Sequence, residues 1–274
     1  MTLLPAVAGV IGWPVAHSKS PIIHRFWLEM LGLDGDYSRF PVAPERLQEF
    51  IRAMPAMGVR GVNVTVPHKL AVMAHLDAVD VAARAVGAVN TVVVGEDGQL
   101  WGTNTDVSGI CESLSGPGLS GRAVLVYGTG GAARAAVAAA GRLGAASVIV
   151  MARDQAKGQA MLDDARQPGS VLPFEAAIPH GNAVALLFNA TTLGMAGQPA
   201  LMPDLAPLPA DAMVFDAVYA PLDTPLLGAA RARGLATIDG LSMLICQAAA
   251  AFALFYGKAA PRDQDAALRA RLTR

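Results

Sequence analysis

The sequence predicts an α/β protein in two domains, one of them built on a doubly wound parallel sheet. Short apolar runs alternate with helical stretches: Val7–Gly12, Ala123–Tyr127, Ser147–Met151, Ala183–Phe188 and Met213–Ala217. Continuous apolar runs belong to strands covered on both faces, and strand–helix–strand alternation implies parallel crossovers. A length of 274 residues suits two domains at about 150 residues each. Gly116-Pro117-Gly118 reads as a loop or linker between chain segments of different style.

Composition narrows the class. Hydrophobic residues make up 53% and charged residues 16% of the chain, which is enough to bury a large core and excludes disorder. Net charge is −1, so no basic excess points to nucleic acid or an anionic membrane. Cys111 and Cys246 cannot build a disulfide framework, no C-x-x-C zinc spacing occurs, and no metal site is expected. A reducing, cytoplasmic setting fits that cysteine usage. Met1–Gly12 has no basic residue ahead of its apolar stretch and reads as a buried strand, not a secretory leader. Leu241–Tyr256, interrupted by Ser242 and Gln247, is shorter than the roughly 20 residues of a membrane span and reads as a core helix.

In chain order, Val7–Gly12 is a strand and Pro21–Leu31 a helix, with Ser20 as its N-cap ahead of Pro21. Tyr37–Val42 is a strand between turn residues. Glu45–Met54 is an amphipathic helix with Leu47, Phe50, Ile51 and Met54 on one face. Gly61–Val66 is a strand stopped by Pro67, and Val89–Val94, Glu96-Asp97-Gly98 and Gln99–Trp101 form a hairpin. From about residue 120 to 240 the α/β alternation reads as one domain. Helices at 241–257 and 263–272 close the chain. The division is 1–105 completed by 241–274, and 106–240.

The run Gly128-Thr129-Gly130-Gly131-Ala132-Ala133 fits G-x-G-x-x-G/A between a strand and a helix. The first glycine permits the turn, the second lets backbone approach a pyrophosphate, and Ala133 lets helix and strand pack closely. The helix N-terminus offers N–H groups to phosphate. At the end of the next strand, Arg153 and Lys157 could clamp a 2′-phosphate and favour NADP. Asp154 between them would oppose that phosphate, or accept the ribose hydroxyl of NAD.

Polar clusters in the first third suggest a second ligand. Ser18 and Ser20 lie between strand and helix, where hydroxyls could bind an anion or polyol. Period-two alternation puts Asn63 and Thr65 on one strand face, as a cleft wall, with Lys69 at its rim or simply in solvent. Asn90-Thr91 and Gly102-Thr103-Asn104-Thr105-Asp106 add amides, hydroxyls and a carboxylate. Asp106 could equally cap the helix that follows.

The ordered blocks HSKSP, NVTVPHK, AVNT, GTNTD, GTGGAAR, NATTLGM, DAVYAPLDTPLL and GLSMLICQA resemble the shikimate dehydrogenase family over essentially the whole chain. The resemblance implies a substrate domain completed by C-terminal helices, and a Rossmann-type dinucleotide-binding domain between. It implies reversible NADP-dependent reduction of 3-dehydroshikimate to shikimate in chorismate and aromatic amino-acid synthesis. Ser18 and Ser20 would hold the substrate carboxylate, and Asn63, Thr65, Asn90 and Gln247 would contact the substrate. Lys69 and Asp106 would be the catalytic pair. Gly128, Gly130, Gly131 and Ala132 would meet the pyrophosphate, with Arg153, Asp154 and Lys157 at the ribose. Asn189, Thr191, Met195, Val218, Tyr219 and Gly240 would line the nicotinamide side. Two departures stand out: Ala152-Arg153-Asp154 replaces the family's usual Asn-Arg-Thr, with Lys157 where Arg is usual, and Ser242 replaces a common Gly. The alternatives are an NAD-using quinate/shikimate dehydrogenase and a dinucleotide-binding sensor without turnover. A monomer or homodimer is expected.

Overall fold

The computed structural model describes residues 5–114, 118–179 and 184–274. In chain order the elements are β1 (Ala6–Gly12), α1 (Ser20–Leu31), β2 (Gly35–Pro41), a 3₁₀ turn (Pro44–Arg46), α2 (Leu47–Ala53), β3 (Val59–Val64), a 3₁₀ segment (Ala71–His75), β4 (Ala78–Val79), α3 (Val81–Val86), β5 (Thr91–Val94) and β6 (Leu100–Thr103). Then come α4 (Asp106–Ser113), β7 (Ala123–Tyr127), α5 (Gly131–Arg142), β8 (Ser147–Ala152), α6 (Gln155–Asp164), β9 (Gly169–Pro173), β10 (Val184–Asn189), β11 (Met213–Asp216), α7 (Pro225–Ala232) and β12 (Ala236–Asp239). The last are α8 (Gly240–Tyr256), a 3₁₀ turn (Arg262–Gln264) and α9 (Asp265–Leu272). Among the described residues no helix is long and apolar enough to cross a membrane. Gly116 and Pro117 of the expected linker, and Ala183 of an expected strand, lie outside the described residues.

The described residues divide into two compact units. One runs to Thr105 and takes in Ile245–Arg274; the other is Asp106–Leu244, so one boundary falls inside α8. The first unit has a mixed sheet in the order β2-β1-β3-β5-β6-β4. β1 pairs in parallel with β2 and β3, while β3–β5 and β5–β6 are antiparallel. The hairpin forms as expected, closed by the Gly95 N–H on the Gln99 carbonyl at 2.8 Å. The expected helix at 45–54 starts as a 3₁₀ turn and becomes α-helical only at Leu47, because a first turn often tightens where its N–H groups lack partners. Leu47, Ile51 and Met54 pack into a core with Ile11, Val62 and Val92. β3 stops at Val64, before Thr65 and Val66, since Pro67 donates no hydrogen bond and restricts the residue before it.

The second unit has an all-parallel sheet in the order β12-β11-β10-β7-β8-β9. The chain runs outward from β7 to β9 on one side and from β10 to β12 on the other. This is the doubly wound order, and its topological switch point lies between β7 and β10. β7 and β10 are buried along their whole length, as their apolar runs require. The two outer strands, β9 and β12, are half-exposed and carry no apolar run, because an edge strand has less to bury.

Candidate functional site

In the first unit a chain of buried polar side chains links β2, the end of β3 and the start of β5 and reaches α8. The Tyr37 hydroxyl donates to Asn63 Oδ1 at 2.6 Å, and Asn63 Nδ2 donates to Thr91 Oγ1 at 3.0 Å. Thr91 Oγ1 donates to Asn90 Oδ1 at 3.0 Å, which also accepts the Thr105 N–H at 2.7 Å. The Thr105 hydroxyl donates to Gln247 Oε1 at 3.4 Å. The glutamine that interrupts the apolar run of α8 is therefore the helix's link to this network. Burial pushes the Tyr37 phenol well above its ordinary pKa, so Tyr37 is held as a neutral donor.

Ser18 and Ser20 are both buried, at the turn leading into α1. Ser20 is not the expected N-cap: it is the first helical residue, and Lys19 occupies the cap position without a side-chain bond. Ser18 Oγ accepts the Ser20 N–H at 3.3 Å and donates to Ser20 Oγ at 3.2 Å, a local serine turn that takes over the capping role. Arg39 Nε donates to the Ser18 carbonyl at 3.0 Å and holds the turn from β2. Thr65 and Lys69 are half-buried beyond the end of β3, where the Lys69 carbonyl accepts the Val89 N–H at 2.8 Å. Asp106 is buried and is itself the first residue of α4, directly after the anchored Thr105.

In the second unit the glycine turn lies at the switch point. Gly128 has φ +107°, and a Cβ there would come within 3.2 Å of the Thr191 methyl, so only glycine fits. Gly130 differs. Its backbone is extended and a Cβ would meet nothing within 4 Å, so the fold does not need a glycine there. Space is kept open in front of α5, whose N-terminus has no side-chain cap and whose Ala133 is fully buried. Open space over uncapped N–H groups suits a dinucleotide pyrophosphate.

The charged turn after β8 carries a helix cap and an ion pair. Asp154 is the N-cap of α6: its Oδ1 accepts the Lys157 N–H at 3.1 Å, and Lys157 Nζ lies 3.1 Å from its Oδ2. The Lys157 N–H, then the Lys157 ammonium, hold the Asp154 carboxyl below its ordinary pKa. Lys157 is thus paired with Asp154, because an N-cap carboxylate three residues ahead lies within its reach.

Beyond β10 and β11 a single carboxylate organises the loops. Asp216, fully buried, accepts Asn189 Nδ2 at 2.9 Å, the Val218 N–H at 3.0 Å and the Thr224 hydroxyl at 2.7 Å. Burial pushes its pKa up. Asn189 also donates to the Leu193 carbonyl and accepts from the Thr191 N–H and hydroxyl. Two donors and two acceptor positions fill its side-chain capacity. Asn189 therefore places Thr191. Val218 has a buried side chain, and Gly240, whose Cβ would fall 2.2 Å from the Ala217 carbonyl oxygen, donates its N–H to the Val218 carbonyl. Both can offer only main chain. Met195 and Tyr219 are half-buried on these loops.

The chain matches the family model described as the shikimate dehydrogenase substrate binding domain over residues 10–92, and the shikimate 5′-dehydrogenase C-terminal domain over 240–267. It is 49% identical to a Sphingopyxis alaskensis protein named shikimate dehydrogenase (NADP(+)), over 97% of this chain and 96% of that one. This chain belongs to the shikimate dehydrogenase family. Among solved structures of the family, that of Thermus thermophilus shikimate 5-dehydrogenase with NADP(H) and shikimate superposes with a TM-score of 0.86 at 37% identity, covering 98% of this chain and 100% of that one. A quinate dehydrogenase from Corynebacterium glutamicum in complex with NAD superposes at 0.85 with 30% identity, covering 98% and 100%.

Against the family blocks, the structure brings Asn63, Asn90 and Gln247 into one network and places Ser18 with Ser20 in one turn. Sequence reasoning missed Tyr37, Arg39 and the Asp216 hub. Thr224 before Pro225 carries a readable helix-start signal, and Thr224 does cap α7. Tyr37 carries none, since a tyrosine in a strand looks like any core aromatic.

Proposed function

We propose that this shikimate dehydrogenase family member is an NADP-linked oxidoreductase that interconverts 3-dehydroshikimate and shikimate in aromatic amino-acid synthesis. The observation that carries this reading is near full-length similarity, at 49% identity, to a relative named for that activity. Residues 1–105 and 241–274 hold the substrate, and residues 106–240 hold the dinucleotide.

Bound NADP supplies the hydride acceptor, and NADPH the donor. The chain's residues supply position and proton handling. Ser18 and Ser20 offer hydroxyls to the substrate carboxylate. Asn63, Thr65, Asn90 and Gln247 match the ring hydroxyls, and the network that runs from Tyr37 to Gln247 sets the orientation of Asn63, Asn90 and Gln247. Lys69 takes the proton from the reacting hydroxyl in oxidation and returns it in reduction, and Asp106 accepts a hydrogen bond from a ring hydroxyl. Gly128, Gly130, Gly131 and Ala132 present backbone to the pyrophosphate. Arg153 takes the 2′-phosphate, which its planar fork suits. Asp154 is turned into the start of α6 and paired with Lys157, which supports NADP over NAD.

Reduction of NADP⁺ by the purified protein on adding shikimate tests the reading, with quinate and NAD⁺ run in parallel. Turnover with shikimate and NADP⁺ at the highest kcat/KM is expected. A preference for quinate with NAD⁺, or dinucleotide binding without turnover, would overturn it.

A further inference from the structure

The charged turn after β8 holds two cations, and they are treated differently. Lys157 is paired with Asp154 at 3.1 Å. Among the described residues no hydrogen bond or ion pair engages the Arg153 guanidinium, which lies over the Phe174 ring with Cζ 5.2 Å from the centroid. Phe174 comes directly after β9 in the chain. Its ring is met edge-to-face by Tyr127, with centroids 5.4 Å apart and an interplanar angle of 77°. Tyr127 ends β7, immediately before Gly128, and is buried. A stack thus runs from the central strand through Phe174 to Arg153.

We propose that Phe174 is a positioning residue for cofactor discrimination, holding the Arg153 guanidinium over its ring so that N–H donors stay open to the 2′-phosphate of NADP. The physical basis is the shape of the guanidinium. Its attraction to an aromatic ring is made by the charge over the ring and uses no carboxylate or carbonyl acceptor, while its five N–H donors spread out in the guanidinium plane. A carboxylate partner would occupy those donors and have to be displaced; a ring partner leaves them available. An exposed arginine also has many rotamers, and one resting on a ring loses less freedom when phosphate binds. With Lys157 paired to Asp154, discrimination falls on Arg153, so its placement governs the NADP/NAD ratio. The proposal rests on Arg153 being the 2′-phosphate ligand, as in the proposed function.

The test is kcat/KM for NADP and NAD in the wild type, Phe174→Leu, Phe174→Met, Phe174→Tyr, Arg153→Ala and the Arg153→Ala/Phe174→Leu double variant. Leu and Met remove the ring face, and Met keeps most of the volume should Leu disturb packing; Tyr keeps the face. The expected result is an NADP/NAD ratio lowered about two- to fivefold in Phe174→Leu and Phe174→Met, as loss of an exposed cation–π contact implies. NAD efficiency is expected to be unchanged, Phe174→Tyr to hold the wild-type ratio, and Phe174→Leu to have no further effect once Arg153 is alanine. The proposal is overturned if Arg153→Ala lowers the ratio while Phe174→Leu and Phe174→Met leave it intact. It is also overturned if both cofactors lose efficiency equally, which marks a purely structural Phe174. An unchanged ratio in Arg153→Ala overturns the Arg153 assignment itself, and with it the proposal.

Discussion

Gly130 is a glycine the fold does not require, since its backbone is extended and its side-chain space is empty. Gly130→Ala should therefore keep the wild-type melting temperature and circular dichroism while raising KM for NADP about tenfold or more, equivalent to about 1.4 kcal/mol. Unchanged KM would mean the open space is not where the dinucleotide lies. Lys69→Ala should lower kcat by about 10²–10⁴-fold, the usual contribution of a general acid–base, with little change in shikimate affinity. A steady-state kcat near wild type would remove Lys69 from proton transfer. Asp154→Ser keeps a good N-cap but removes the charge that pairs Lys157, so the NADP/NAD ratio of kcat/KM should rise. Arg153, Lys157 and Asp154 were legible in the sequence as a charged turn after a strand. Their division of labour was not, because a carboxylate three residues ahead of a lysine can face either the ligand or the helix, and only geometry decides.

At the scale of single elements, α1 carries an unusual buried group. His24 is fully buried, stacked on Tyr37 at 4.0 Å, and neither ring nitrogen finds a hydrogen-bond partner among the described residues. Burial lowers its pKa from 6.5 to about 3. The folded protein therefore keeps His24 neutral where the unfolded chain would protonate it. The resulting stability is present above pH 6.5 and is lost as pH falls towards 3, by at most about 5 kcal/mol. Urea unfolding between pH 7 and pH 4 should show a steeper loss in the wild type than in His24→Phe, and equal slopes would exclude the assignment. The ends of β10 and β11 depend in the same way on one residue. Asp216→Ala strands Asn189, the Val218 N–H and the Thr224 hydroxyl in a buried setting, at about 1–3 kcal/mol for each group left unsatisfied. Asp216→Asn keeps two acceptor positions and should retain most of that stability in the same measurement.

For the whole molecule, binding at the second unit should appear as stability. NADP at 100 times its dissociation constant should add about 2.7 kcal/mol to the unfolding free energy of the unit that holds it. NAD at the same concentration should add less, and chemical denaturation with each cofactor measures both.

The α/β class and the strands with apolar runs are written in local pattern alone, since burial on both faces leaves a signal that needs no partner to be read. The sequence also carries the place of the glycine turn after β7, because Gly128 answers to a backbone conformation no other residue adopts easily. The edge strands β9 and β12 came only from the tertiary structure, since half-exposed strands need no apolar run. So did the mixed sheet of the first unit, because strand order depends on pairing between distant segments. The links from Tyr37 to Asn63 and from Arg153 to Phe174 join residues far apart in the chain. No local period or propensity encodes such contacts; they exist only once the sheets have set their strands side by side.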